Sequence, residues 1–108
     1  MELFQKVING KTVKEIGYDS FYSKNLTSVV MTNEITNISG FAFYGNRLAK
    51  IVFESPSKLL SIYDSAFANN NISTITIPDS VSFLACNAFD NNVAITKSDS
   101  LVCTKPVG

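Results

Sequence analysis

Hydrophobic residues recur along the chain at intervals of 22 to 24 residues. The clearest marker is a small residue followed by phenylalanine, and the phenylalanines of this pattern are Phe21, Phe43, Phe67 and Phe89. Aliphatic residues precede them by five positions (Ile16, Ile38, Ile62 and Leu84) and by eight (Val13, Ile35, Leu59 and Val81). So many coincident apolar positions indicate an internal repeat, which is the signature of a stacked, solenoid-type protein.

A second apolar pattern follows the first three phenylalanines. Two apolar residues separated by one position lie eight and ten residues later: Val29 and Met31, Ile51 and Phe53, Ile75 and Ile77. This alternation predicts a short strand with one buried face. Strands this short are unstable alone, so we expect copies from successive repeats to pair into a parallel sheet. The segment before each phenylalanine is expected to form a second short strand or extended segment.

Two further features belong to the corners of the coils. The four phenylalanine rings are expected to stack, with Phe67 buried between Phe43 and Phe89. Asparagines follow each phenylalanine by three or four residues and suit tight corners, because asparagine tolerates left-handed backbone and can bond main-chain groups. These asparagines are Asn25, Asn46, Asn71 and Asn92.

The repeats predict a single domain over residues 1–108. Its units cover about 13–34, 35–58, 59–80 and 81–96, with a partial leading coil at 1–12 and a tail or cap at 97–108. Terminal repeats are usually atypical because they must shield the core.

The repeat units resemble the BspA-like leucine-rich repeats. Ile75–Val81, which reads ITIPDSV, is close to that family's strand-and-turn pattern, and Ile8–Gly17 resembles an opening unit with an Asn-Gly turn. The resemblance covers about residues 7 to 96. It implies a mainly β, right-handed leucine-rich-repeat solenoid of about four short coils with a parallel strand ladder. The family occurs mainly in bacterial surface and secreted proteins, and in some protozoan ones, with adhesion and protein binding as usual roles.

In a leucine-rich repeat the strands line one curved face, where the residues between buried positions point outward. This predicted binding face contains an apolar pair, Val30 and Val52, in a small, neutral and hydroxyl-rich surface. Its residues are Thr27, Ser28, Val30, Thr32, Ala49, Lys50, Val52, Glu54, Ser73, Thr74 and Thr76. The expected partner is an unidentified protein or glycan. The alternative is plain solvated strand surface, since hydroxyl and β-branched residues suit any exposed sheet.

Charge and hydropathy exclude several functions. The nine basic and nine acidic residues cancel, which argues against a nucleic-acid partner. Apolar runs such as Ser28–Met31 fall far short of the roughly 20 residues needed to cross a bilayer, so we expect no membrane insertion. The first ten residues lack the pattern of a signal peptide. We therefore expect either a cytoplasmic protein or a mature or excised piece; a piece of a larger exported protein would be extracellular or at the cell surface.

Catalytic chemistry finds no support in the residue types present. The chain has no histidine, which removes the usual general base and imidazole metal ligand. Cys86 therefore has no ordinary base to activate it as a nucleophile. Aspartates are scattered and form no calcium loop, and the glycines form no phosphate-binding loop. We predict no enzyme activity, no cofactor and no metal.

Two sequence features leave alternatives open. In an exported protein Cys86 and Cys103 could form a disulfide that pins the tail; otherwise both remain thiols. N-glycosylation sequons begin at Asn25, Asn37 and Asn71. We interpret them as coincidences, since the repeat pattern itself produces two of them.

Two functional hypotheses remain after these exclusions. The first is a non-catalytic binding or adhesion module of a bacterial surface or secreted protein. The second is an architectural spacer, a fragment of a longer solenoid whose activity lies elsewhere. With either role, the exposed coil ends could pair end to end with another copy.

Overall fold

The computed structural model describes residues 2–3, 7–8, 11–12, 14–98 and 100–103. Within these ranges the chain forms short strands and no helix. The strands are β1 (Glu2–Leu3), β2 (Val7–Ile8), β3 (Lys11–Thr12), β4 (Glu15–Ile16), β5 (Ser28–Met31), β6 (Asn37–Ile38), β7 (Lys50–Phe53), β8 (Ser61–Ile62), β9 (Thr74–Thr76), β10 (Phe83–Leu84) and β11 (Ala94–Thr96).

Successive coils pair along two sides of the molecule. On one side, the segments before the phenylalanines form a parallel sheet in the order β10-β8-β6-β4. On the other side lie the parallel ladders β1-β5-β7 and β11-β9, and β2 and β3 form an antiparallel pair. The prediction of a mainly β solenoid with about four coils and parallel strands is confirmed, as is that of a second strand before each phenylalanine.

The repeated aliphatic positions form the core between the two sides. The residues five positions before each phenylalanine are at most 3% exposed. Of the set eight positions before, Ile35, Leu59 and Val81 are buried, whereas Val13 lies outside the described residues. Burial of these side chains is the main stabilising contribution, because the strands are too short to be stable alone.

The four phenylalanines form a continuous phenylalanine stack, as predicted. Ring centroids lie 5.3 Å apart for Phe21 and Phe43, 5.1 Å for Phe43 and Phe67, and 5.2 Å for Phe67 and Phe89. The planes are within 6° of parallel. Phe43, Phe67 and Phe89 are buried, and Phe21 at one end is half-buried.

The backbone turns around each of the first three phenylalanines through left-handed residues. Positive φ angles occur two residues before these phenylalanines (Asp19, Phe41 and Ser65) and two residues after them (Ser23, Gly45 and Asn69). Gly45 has φ 74°, and a Cβ there would lie 2.8 Å from the Ser23 hydroxyl oxygen. The same left-handed geometry therefore recurs in successive coils. Residue types alone do not reveal it, since only one of these six left-handed residues is glycine.

The asparagine ladder forms, but with different members from those predicted. Asn46 is 5% exposed and donates to the Phe21 and Phe43 carbonyls, while its Oδ1 accepts from the Lys24 and Leu26 amides. Asn70, not Asn71, occupies the equivalent place in the next coil. Asn25, Asn71 and Asn92 are exposed. As members of the buried side-chain ladder Asn25, Asn71 and Asn92 were predicted wrongly, because all three are exposed. Asn25 nevertheless has the left-handed backbone that was expected of these asparagines, with φ 59°.

The C-terminal segment is attached to the last coil. Cys86 and Cys103 form a disulfide with their Cα atoms 4.8 Å apart. Leu101 is 6% exposed and belongs to the hydrophobic core cluster, against which Cys103 also packs. The structure thus contains the bond that the sequence had left open.

Candidate binding face

Strands β5 and β7 bring the first two rows of the predicted binding face together. They pair in parallel, with Val30 opposite Val52 and Ser28 opposite Lys50. Val29 and Met31 point the other way and are buried, so Val30 and Val52 lie on the outer side of the ladder. Both valines are half-buried and form the predicted adjacent apolar pair.

Most of the predicted face residues are accessible. Thr27, Ala49, Lys50, Ser73, Thr74 and Thr76 are exposed, whereas Ser28, Val30, Val52 and Glu54 are half-buried. Accessibility does not test a contact with a ligand, and their role in binding stays a prediction.

Thr32 does not belong to the exposed face. It is 5% exposed, and its hydroxyl oxygen has no hydrogen-bond partner among the described residues. Thr32 follows the last residue of β5, and its carbonyl accepts from the Ile35 amide in a turn. Strand alternation ends at Met31, so the prediction that Thr32 points outward was wrong.

The strand ladder is interrupted in the middle of the face. β7 is the last strand of one ladder and β9 the last of the other, so Thr74 and Thr76 do not pair with β7. Between them lies an open groove of about 750 Å³. Its lining comprises β7 and β9 with the adjoining Ala49, Glu54, Ser55, Ser57 and Pro78–Ser80. We call it the β7–β9 groove.

The two coils stay in contact around the groove. At its start the Asn71 amide donates to the Leu48 carbonyl at 2.9 Å. On the other side of the solenoid the Tyr63 amide donates to the Ile38 carbonyl at 3.0 Å. The coils containing β7 and β9 also keep Phe43 and Phe67 stacked. The separation is therefore local to the two strands.

A longer turn accompanies the groove. Five residues separate Phe53 from Leu59, whereas three separate Met31 from Ile35 and three separate Ile77 from Val81. Two of the extra turn's residues, Ser55 and Ser57, line the groove. Ile51 and Phe53 were predicted to be buried like their counterparts in β5, but the groove leaves both half-buried. The extra length was present in the 24-residue spacing between Phe43 and Phe67, and it was the available signal for this site.

A second, smaller concavity lies away from the face and was not predicted. It measures about 390 Å³ and is lined by Glu15, Tyr18, Asn37, Ser39, Gly40, Tyr63 and Asp64. Tyr18 is 67% exposed and Tyr63 40% exposed. A Cβ at Gly40 would lie 3.1 Å from an Asp64 carboxylate oxygen, so the missing side chain at this position contributes to the hollow.

In the part of the chain that the structure describes, no group of three or more histidine, cysteine, aspartate or glutamate side chains is placed to hold a metal ion. No helix in that part is long and apolar enough to cross a bilayer.

Comparison with known families identifies the repeat. A family model described as the BspA type leucine rich repeat region matches residues 2–98 in six copies. The chain belongs to this family. Its fold is that of a leucine-rich-repeat solenoid, and the expectation from the sequence resemblance is confirmed.

A solved structure shares the fold. The crystal structure of the pneumococcal vaccine antigen PcpA superposes with a TM-score of 0.77 at 23% identity, over 91% of this chain and 28% of that chain. The chain thus spans little more than a quarter of that antigen's length. No curated protein sequence matches the chain.

Proposed function

We propose that this BspA-type repeat region is a non-catalytic binding or adhesion module that recognises a protein or glycan through its strand-lined face. The observation that carries the proposal is the Val30–Val52 pair, an apolar spot on the outer side of the β5–β7 ladder. Exposed Thr27, Ala49 and Lys50 lie at the beginning of the same two strands. Apolar groups within a polar rim are typical of protein interaction sites.

The proposal includes a location at the surface of a bacterial cell or in a secreted protein. The similar fold of a pneumococcal vaccine antigen supports this, as does the family membership. The Cys86–Cys103 disulfide adds an independent argument, because disulfides persist mainly in oxidising, extracytoplasmic compartments.

A spacer role is the second candidate. Repeats occupy residues 2–98, and the similar structure is a much longer chain. In that role the coils would set the distance between other domains, and the outer face of the ladder would be solvated surface.

Binding arrays distinguish the two candidates. The labelled chain is applied to an array of immobilised glycans and to an array of extracellular-matrix and serum proteins. Wherever it binds, the Val30→Asp/Val52→Asp variant should bind at least about tenfold more weakly, because a charge replaces the apolar contact. Val102→Asp is the matched control, since Val102 is 75% exposed and belongs to the C-terminal segment.

Each outcome of the array experiments bears on one of the two candidate functions. Unchanged binding by the double variant would place the ligand elsewhere on the molecule and contradict the proposed face. No binding by the unaltered chain on either array would favour the spacer.

A further inference from the structure

We infer that the β7–β9 groove receives an extended polypeptide segment of another protein, which inserts as a strand and joins the two separate ladders. The inference rests on the proposed function as a binding module, and it names the class of partner and the mode of recognition. It depends on the interruption of the ladder, and of the Val30–Val52 pair only Val52 lines the groove.

The two walls of the groove can form backbone hydrogen bonds with an inserted strand. In a strand, backbone N–H and C=O groups point alternately to the two sides. β7 pairs with β5 on one side and β9 pairs with β11 on one side, and neither has a partner strand among the described residues on the groove side. The groove therefore has a strand edge on each wall. Strand addition normally satisfies one such edge, whereas a strand inserted here would satisfy two.

The shape and lining of the groove also suit an extended segment. Its length follows the four residues of β7, or about 13 Å at the usual rise per residue. Ile51 and Phe53 are half-buried and supply apolar surface for the inward side chains of an inserted strand. Val52, Thr74 and Thr76 provide β-branched neighbours on the outer side. The lining thus provides one set of side chains for the inward face of an inserted strand and another set for its outward face.

The two ends of the groove carry opposite charges. β7 and β9 continue parallel ladders, and Lys50 lies at the start of β7 while Asp79 follows the end of β9. Both are exposed. The groove is therefore basic at one end and acidic at the other, which fits a segment with an acidic residue near Lys50 and a basic residue near Asp79. A glycan does not carry the regularly spaced N–H and C=O groups that match two strand edges.

A designed peptide tests the inference. The probe is a capped, fluorescein-labelled octapeptide of sequence Asp-Thr-Val-Thr-Val-Thr-Val-Lys, and binding to the whole chain is followed by fluorescence anisotropy. Its matched control has the same sequence with N-methyl groups on alternate amides, which removes donors while keeping side chains and charges. We expect saturable binding of the probe and at least about tenfold weaker binding of the control, since several hydrogen bonds are lost.

A protein variant tests the charge argument whichever way the peptide runs. Lys50→Glu makes both ends of the groove acidic, so the preference should change to a peptide with lysine at both ends. Lys50 is an exposed side chain, and this change is not expected to affect folding. Val102→Asp, which is 75% exposed and outside the groove lining, should leave peptide binding unchanged.

The remaining outcomes would overturn the inference. One is equal binding of the probe and the methylated control; another is no saturable binding up to about 1 mM, the weak end of specific recognition. Dimerisation of the chain alone, lost in Lys50→Glu, would make a second copy the occupant. If the peptide fails but Val30→Asp/Val52→Asp abolishes binding on the arrays, the proposed function stands and only the strand insertion is wrong.

Discussion

At the scale of single residues, two asparagines join adjacent coils through their side chains. Asn70 Nδ2 lies 3.0 Å from the Phe43 carbonyl and 3.0 Å from the Phe67 carbonyl, and its Oδ1 accepts from the Leu48 amide at 2.9 Å. The side chain thus substitutes for main-chain partners where the backbone turns. The side chain stabilises the fold mostly because these main-chain groups would otherwise be buried without a hydrogen-bond partner.

Asn70→Ala should lower the free energy of unfolding by about 2–3 kcal/mol, because it leaves main-chain groups of two coils unsatisfied. Asn71→Ala is the matched control: Asn71 is exposed, and its replacement should change stability by less than about 0.5 kcal/mol. Urea titration of both variants measures the difference. Equal losses would contradict the assignment of the ladder to Asn70.

The choice between these neighbours could not be made from the sequence. Residues 69–71 are all asparagine, so residue type does not distinguish them. What decides is the left-handed backbone at Asn69, which turns the next side chain toward the corner. Ser65 and Phe41 adopt the same conformation in other positions of the repeat, although neither residue type predicts it.

At the scale of elements, the phenylalanine stack is the feature that connects all four coils. Phe67 is 1% exposed and has a stacked ring on each side. Phe67→Ala should therefore cost about 3–5 kcal/mol, from lost apolar burial and the cavity that remains. Chemical denaturation of the variant measures this loss.

Phe21→Ala is the control for position within the stack. Phe21 is half-buried at the end of the row, so its removal should cost distinctly less than that of Phe67. A loss below about 1 kcal/mol for Phe67→Ala, or equal losses for the two variants, would contradict the central role of the stack.

The sequence predicted the elements well and their pairing incompletely. Apolar spacing sets which residues face the core, and the positions around Phe43 and Phe67 follow it. The pairs Ile51/Phe53 and Ile75/Ile77 have the same pattern as Val29/Met31, so the pattern predicts one continuous ladder. Whether neighbouring strands approach depends on the length of the turn between them, which alternation does not encode. The groove therefore depends on how the longer turn after β7 directs the chain, and the alternation of apolar residues does not predict it.

At the scale of the whole molecule, a solenoid is limited by its ends. Each coil contacts only its neighbours, and among the described residues the last coil has a neighbouring coil on one side alone. Strand β11 reflects this position, since Ile95 is 37% exposed. The segment through Leu101 and Cys103 partly compensates, because Leu101 is buried in the core cluster and the disulfide holds it there.

Removing the disulfide should therefore destabilise the C-terminal end first. Cys86 and Cys103 are 17 residues apart, and a bond closing a loop of this size contributes roughly 3 kcal/mol by restricting the unfolded chain. Cys86→Ser/Cys103→Ser should show that loss in urea titration. Amide exchange should rise most in β9 and β11, while β4 and β6, in the coils farthest from the disulfide, change less.

A reducing agent provides the internal control for this prediction. Dithiothreitol should lower the stability of the unaltered chain to that of the double variant, and it should have no effect on the variant itself. An unchanged unfolding midpoint after full reduction would show that the bond adds nothing to the native state. Since small domains are stable by only about 5–15 kcal/mol, a loss of the predicted size would remove a substantial share of the chain's stability outside an oxidising compartment.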